Sequence, residues 1–340
     1  MPVERQRTAT TWHHGPVINP SEIEAAAQRI EPHVLRTSLF RSDPLSERHG
    51  ADILIKSEHL QITGSFKVRG SANVVHSLAP DVAAKGVVTA SSGNHGIGVA
   101  TAAASRGVQA QIFLPSNASP SKVDQIRRLG AEINLIEGTD TMVAEVAGRA
   151  HAEELGVPYI SPYNDPQIIA GQGTIGKEIL EDAPGQVDAV VVSVGGGGLM
   201  SGVATWMKMH SPTTRVIGAS ALNDRAMAAS VEAGEIITPH FEPTFSDGTA
   251  GGIDDDTITF DICRELVDEW IDVTEPAIAA AVAHMIDDHH QLVEGAAGVA
   301  LAAATHYADT MPGARIVAVS CGANVSSDAL GRMIAAVETS

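Results

Sequence analysis

Aromatic residues make up only 4% of this 340-residue chain, and it has two cysteines, Cys263 and Cys321. So few aromatics argue against an aromatic-lined β architecture and favour close-packed helices with glycine-shaped loops. Two cysteines this far apart make no disulfide framework and no Cys-x-x-Cys metal pair, which fits a reducing cytoplasm. Positive charge is also scarce. Twenty-two Lys and Arg stand against 41 Asp and Glu, a net charge of −19. A surface of that sign repels phosphate backbones, so no nucleic-acid partner is expected. There is no tandem repeat and no low-complexity linker, and the early "TTWHHGP" has no apolar signal core. One uncharged run, residues 189–207, is long enough for a bilayer. It carries four consecutive glycines, so it reads as strand, loop and helix, and no membrane span is expected.

What the chain does have is a 44% hydrophobic content, enough for a large core. Short apolar runs alternate with helical patterns. "ADILIKSEHL", "GVVTA", "VQAQIFLP", "AEINLIEG", "DAVVVSV", "RVIGAS" and "ARIVAVS" read as strands. "SEIEAAAQRIEPHV" reads as a helix with Ser21 as its N-cap, and "SPSKVDQIRRLG" as a helix with a serine cap, Ser119. Helices also follow Lys67, open at "GIGVATAAASRG", run to about Leu155, and cover "GQGTIGKEILED", "LMSGVATWMKMH", "AMAASVEAG" and the C-terminus. Such alternation predicts an α/β fold of two lobes, each a parallel or mostly parallel sheet flanked by helices.

Four stretches have the residue types of a binding site. In "TGSFKVRG", residues 63–70, Lys67 stands where a helix begins. It is either a solvated lysine or an amine whose proton is easily lost, since a helix N-terminus disfavours an ammonium. "SSGNHG", residues 91–96, joins a strand to a helix and is either a cap with a glycine turn or a nest for an anion such as a carboxylate. In "SVGGGGLMSG", residues 193–202, four glycines follow an apolar strand. They match neither G-x-G-x-x-G nor a Walker loop, and they read as a tight turn or a phosphate cradle. In "AVSCGAN", residues 318–324, Ser320 closes the last strand, as a turn former or as a hydroxyl offered to a ligand. An amine, an anion nest, a phosphate cradle and a hydroxyl at the ends of parallel strands are the groups that hold a phosphorylated aldehyde cofactor.

With these four motifs in this order, the chain resembles the fold-type II pyridoxal-phosphate enzymes of the serine/threonine dehydratase and serine racemase group, from about residue 21 to the C-terminus. The family's lysine motif, roughly E-x-x-Q-x-T-G-S/A-F-K-x-R-G-A, stands here as "EHLQITGSFKVRGS", with Val68 and Ser71 as mild departures. The resemblance implies that Lys67 carries the cofactor, Phe66 packs beside its ring and Asn94 meets the ring's 3′ oxygen. It implies that Gly195, Gly196, Gly197, Gly198 and Leu199 hold the phosphate and that Ser320 faces the pyridine nitrogen. Ser91, Ser92, Asn94 and His95 then receive the substrate carboxylate, with Ser92 on the face opposite the lysine, and Lys67 and Ser92 as the catalytic pair. Glu294 in "LVEGAAG" matches a family acid near the site, or is a plain helix-terminal glutamate.

The activity implied is pyridoxal 5′-phosphate dependent dehydration and deamination of a β-hydroxy amino acid, threonine or serine by default. Hydroxyaspartate, a hydroxyectoine-derived hydroxy amino acid, racemisation and a non-catalytic amino-acid sensor are the alternatives. "SDGTAGG", residues 246–252, resembles the family segment past the ring edge, where its glycines and Thr249 alter the pocket. Racemase-like members hold a divalent metal with a glutamate where this chain has Ser220, though Asp224 follows, and no metal is expected. The resemblance further implies a cofactor domain of residues 1–85 and 166–340, a small substrate-loop domain of residues 86–165, and no appended regulatory domain. A cytoplasmic homodimer is expected.

Overall fold

The structure, a computed structural model, describes residues 18–91, 93–118, 120–138 and 141–338. Ser92, Ser119 and the "TTWHHGP" stretch lie outside the described residues. Helix α1 (Pro20–Ile30) leads through strand β1 (Leu39–Arg41) and α2 (Asp43–His49) to β2 (Asp52–Lys56) and α3 (Lys67–Ser77). A turn of helix, α4 (Pro80–Ala83), precedes β3 (Val87–Ala90), α5 (Asn94–Arg106), β4 (Ala110–Pro115), α6 (Pro120–Arg128), β5 (Glu132–Ile136) and α7 (Thr141–Leu155). Then come α8 (Pro166–Asp182), β6 (Ala189–Ser193), α9 (Gly198–His210), β7 (Arg215–Ala221) and α10 (Ala226–Ala233). The chain closes with α11 (Ile258–Leu266), β8 (Glu269–Val273), α12 (Glu275–His289), α13 (Gly295–Thr310), β9 (Arg315–Val319) and α14 (Ser327–Glu338).

The strands form two sheets. Six are ordered β1-β2-β9-β6-β7-β8, and three are ordered β3-β4-β5. Every pairing is parallel except β1 with β2. This is the α/β architecture expected of the alternation. Val190, Val191 and Val192 of β6 are fully buried, as a central strand covered on both faces must be. The uncharged run therefore splits into β6, a glycine turn and α9, whose residues 198–207 are all buried. Among the described residues no helix is long and apolar enough to cross a membrane. Helix α9 reaches this depth because Gly202 lies against α8: a Cβ there would stand 2.4 Å from the Ile169 carbonyl and 2.5 Å from Gly173 N.

Two packing results differ from the expectation or add to it. The N-cap of α1 is Asn19, not Ser21: Asn19 Oδ1 accepts from Ser21 N, and Glu22 closes a capping box on Asn19 N. Pro20, fixed in φ and lacking an N–H, suits the first helical position and moves the cap two residues back. Helix α3, which opens at Lys67, packs Ala72, Val74 and Val75 into the same apolar cluster as Val87, Ile112 and Leu114 of the small sheet. The lysine's helix, which the chain enters from β2 of the large sheet, is thereby packed with the small one.

Candidate active site

All four motifs emerge beyond the C-terminal ends of parallel strands, after β2, β3, β6 and β9. Hydrogen bonds stitch the first motif to the last, some 250 residues away. Phe66 N donates to the Cys321 carbonyl (3.1 Å), Ala323 N to the Gly64 carbonyl (2.8 Å), and Ser65 bridges Gly322. Lys67 is thus placed over the end of β9. Its Nζ donates to the Pro162 carbonyl at 2.9 Å and lies 5.2 Å from the centre of the Phe66 ring. Burial lowers the lysine pKa to about 8, against the raising influence of Cys321 and Glu294. The amine is therefore the activated kind, not a solvated surface lysine.

Lys67 and Phe66 line a cleft of about 450 Å³, open to solvent, with Asn94, Tyr163, residues 195–199, Thr249, Glu294 and Cys321. A larger cleft of about 770 Å³ lies between α1 and α8 over Arg69, away from Lys67 and the glycine turn. The turn owes its glycines to its neighbours. Gly197 has φ +83°, a left-handed conformation that side chains disfavour. A Cβ on Gly196 would meet the Tyr163 ring at 2.3 Å. Thr259 Oγ1 donates to the Gly196 carbonyl at 2.7 Å and fixes that peptide plane. No side chain caps α9, so its first N–H groups face the cleft unclaimed by a cap, a ready site for phosphate.

Asn94 begins α5 and is held on both sides. Its Nδ2 donates to the two Glu294 oxygens (2.9 and 3.1 Å), and its Oδ1 accepts from Asn324 Nδ2 (2.6 Å). Glu294, buried at 3% exposure, also accepts from Asn324 N at 3.1 Å. It is thus more than a helix-terminal glutamate. Ser320 is fully buried; its backbone bonds Lys56 and His59, and its Oγ has no partner among the described residues. Ser91 Oγ accepts from Gly93 N at 3.2 Å at the start of the nest. His95 sits behind the cleft lining, with Nε2 against the Ile160 carbonyl at 3.0 Å. Burial first, and then Lys67, push its pKa down to about 3, so the ring is neutral.

The sequence motifs missed three contributors. Tyr163 and the Pro162 carbonyl come from the connection between α7 and α8, where "SPYN" resembles any turn. Arg69 lies inside the lysine motif, but its partners were invisible. It donates to both oxygens of Glu58 (2.8 and 2.8 Å) and of Glu178 (2.7 and 2.8 Å), while Lys56 Nζ also reaches Glu178 (2.5 Å). This quartet anchors the helix that starts at Lys67. Among the described residues no group of three or more His, Cys, Asp or Glu is placed to hold a metal ion. Ser220 and Asp224 are both buried, and Asp224 Oδ2 accepts from Gly251 N at 2.8 Å.

An amine of lowered pKa and a glycine turn with unclaimed N–H groups fit a phosphorylated pyridine aldehyde; Ser320 is not among the residues that line the cleft, where its neighbour Cys321 stands instead. Residues 30–322 match the family described as pyridoxal-phosphate dependent enzyme. The chain is 39% identical over 318 residues to the L-threonine ammonia-lyase of Thermotoga maritima, covering 94% of this chain and 78% of that protein. It is 40% identical over 283 residues to the catabolic L-threonine dehydratase TdcB of Escherichia coli, covering 83% and 85%. In three dimensions it resembles the processed form of threonine deaminase isoform 2 from Solanum lycopersicum, with a TM-score of 0.92, 32% identity and coverage of 98% and 91%. Maize serine racemase aligns with a TM-score of 0.87, 33% identity and coverage of 94% and 97%. Sequence, fold and cleft agree, and the chain belongs to the pyridoxal-phosphate dependent enzyme family.

Proposed function

We propose that this protein is an ammonia-lyase that converts a β-hydroxy amino acid, L-threonine or L-serine, to a 2-oxo acid and ammonia. The observation that carries the reading is the half-buried Lys67 amine standing in one cleft with the glycine turn, where desolvation lowers its pKa. The similar proteins named threonine ammonia-lyase and threonine dehydratase support the substrate. Pyridoxal phosphate supplies the electron sink that loosens the Cα–H bond of an amino acid. Lys67 would hold its aldehyde carbon, the N–H groups of residues 195–199 its phosphate, Asn94 its 3′ oxygen and Ser320 its pyridine nitrogen, with Phe66 beside the ring.

The chain's own groups then divide the work. Lys67 Nζ, poorly solvated and easily deprotonated, accepts the α-proton. The loop of Ser91, Ser92, Asn94 and His95 would receive the carboxylate, with His95 supporting it from behind, and Ser92, outside the described residues, would serve as the second proton group. His95 is neutral and its Nε2–H is committed to Ile160, so it orients the loop without adding charge. Glu294 and Asn324 fix Asn94 on both sides. Ser320, were it to meet the pyridine nitrogen, would offer a hydroxyl where a carboxylate would favour the protonated ring, which suits elimination chemistry.

We further propose that residues 86–165 move as the small substrate-loop domain against residues 1–85 and 166–340, and that the enzyme is a cytoplasmic homodimer. The two separate sheets support the division, and the buried, unpaired Cys263 and Cys321 support a reducing compartment. The test is release of ammonia and 2-oxo acid from a panel of hydroxy amino acids. Threonine or serine should be turned over by the native chain and not by Lys67→Ala. Full product formation by a folded Lys67→Ala protein sinks the reading, and preference for hydroxyaspartate would move the substrate.

A further inference from the structure

Tyr163 belongs to none of the sequence motifs, yet its contacts span the cleft. Its ring lies against Gly196 and its backbone against Gly198: a Cβ on Gly196 would stand 2.3 Å from Tyr163 Cδ1, and one on Gly198 2.9 Å from Tyr163 Cα. Its hydroxyl accepts from Asp254 N at 2.8 Å. The next residue, Asn164, accepts from Ile258 N through Oδ1 at 3.1 Å. The preceding residue, Pro162, takes the Lys67 Nζ hydrogen bond at 2.9 Å. Two residues earlier, the Ile160 carbonyl is held by Thr89 Oγ1 at 2.7 Å and by His95. One five-residue segment therefore reaches the lysine, the glycine turn and the loop before α11.

A run of four glycines has wide conformational freedom and must be held by its surroundings to present its N–H groups in one direction. We propose that Tyr163 is a positioning residue for the glycine turn: its ring is the wall against which Gly196 packs, its Cα and Cβ back Gly198, and its hydroxyl pins that wall to Asp254 N. Burial raises the phenol pKa, so the hydroxyl stays neutral at working pH. The proposal rests on the reading that this turn holds the cofactor phosphate, and preorganisation is what the wall adds to affinity.

The test compares binding of pyridoxal 5′-phosphate and of pyridoxal, which lacks the phosphate, to the apoprotein by absorbance titration. In Tyr163→Ala the affinity for the phosphate ester falls about tenfold or more, the value of one charge-assisted hydrogen bond. Pyridoxal affinity stays within about threefold. Tyr163→Phe keeps the ring but loses the pin to Asp254 N, so its loss for the phosphate ester is selective and smaller than that of Tyr163→Ala, while Tyr163→Leu, which fills the space without the flat face, repeats the selective loss if the alanine variant does not fold. Gly197→Val serves as the control on the phosphate site. If Gly197→Val loses pyridoxal phosphate and Tyr163→Ala or Tyr163→Leu does not, the role of Tyr163 is refuted and the phosphate site stands. If Gly197→Val binds as the native protein does, the phosphate reading fails first. Equal losses for both ligands, or failure of both the alanine and leucine variants to fold, assign the ring to general packing and overturn the proposal.

Discussion

Arg69 is where a single change tests the most physics. Its guanidinium is fully buried, with two hydrogen bonds to Glu58 and two to Glu178, and Lys56 completes a quartet of zero net charge. Arg69→Met keeps much of the volume and leaves two carboxylates facing one ammonium. Removing one partner of a buried pair costs about 3–5 kcal/mol, because the other charge is left uncompensated. That is a large part of the roughly 5–15 kcal/mol that holds an ordinary domain together. The cost should depend on pH, with a definite sign. In the native protein burial would raise the Glu58 pKa, but Arg69 outweighs it and holds the carboxyl below its usual value. A depressed carboxyl contributes stability above its unfolded pKa and loses it as pH falls through the folded pKa. Without Arg69, only Lys56 and the Thr37 hydroxyl oppose the larger effect of burial, and Glu58 should titrate above its unfolded value. The variant's penalty is then full near pH 8 and shrinks toward pH 5, as the buried carboxyl takes up a proton. Thermal melts of the apoprotein at pH 5 to 8 measure this, native chain against Arg69→Met. A loss under about 1 kcal/mol at every pH, or a loss independent of pH, would refute the reasoning.

Two other perturbations address the site. The Lys67 pKa is lowered from 10.5 to about 8, so the folded apoprotein resists protonating this amine. That penalty is complete below pH 8 and fades as pH rises toward 10.5, so Lys67→Met should stabilise the apoprotein at pH 7 by about 2–3 kcal/mol. Its melting temperature should exceed the native one at pH 7, and the gap should close by pH 10; a lower melting temperature at pH 7 would contradict the desolvated amine. Ser320→Asp puts a carboxylate where an unpartnered hydroxyl now lies. It should slow dehydration and raise α-proton exchange per product by roughly tenfold, the effect of about 1.4 kcal/mol on a branching step. Deuterium wash-in followed alongside 2-oxo acid formation reads that ratio, and an unchanged ratio in a stable, cofactor-loaded variant would return Ser320 to a strand-closing role.

The residues by themselves determined the local elements and the chemical inventory. The β6–glycine turn–α9 unit was legible because valines, four glycines and a helical pattern each act over a few residues. The same holds for the Lys67, Asn94 and Ser320 motifs, whose residue types state their own chemistry. Less was legible where local signals are weak. Strand β1 has three residues, β8 mixes Glu269 and Asp272 with buried Ile271 and Val273, and the Ala-rich α12 and α13 carry little contrast between faces. Only the tertiary structure decided that β9, last in sequence, lies between β2 and β6 and so brings Ser320 beside the lysine motif. Only it could show that Pro162 offers a carbonyl to Lys67, since every residue has a carbonyl and sequence marks none of them. The partners of Arg69 and the wall made by Tyr163 were hidden for the same reason: a buried charge or a ring against glycine is defined by what packs on it, and those groups come from distant parts of the chain.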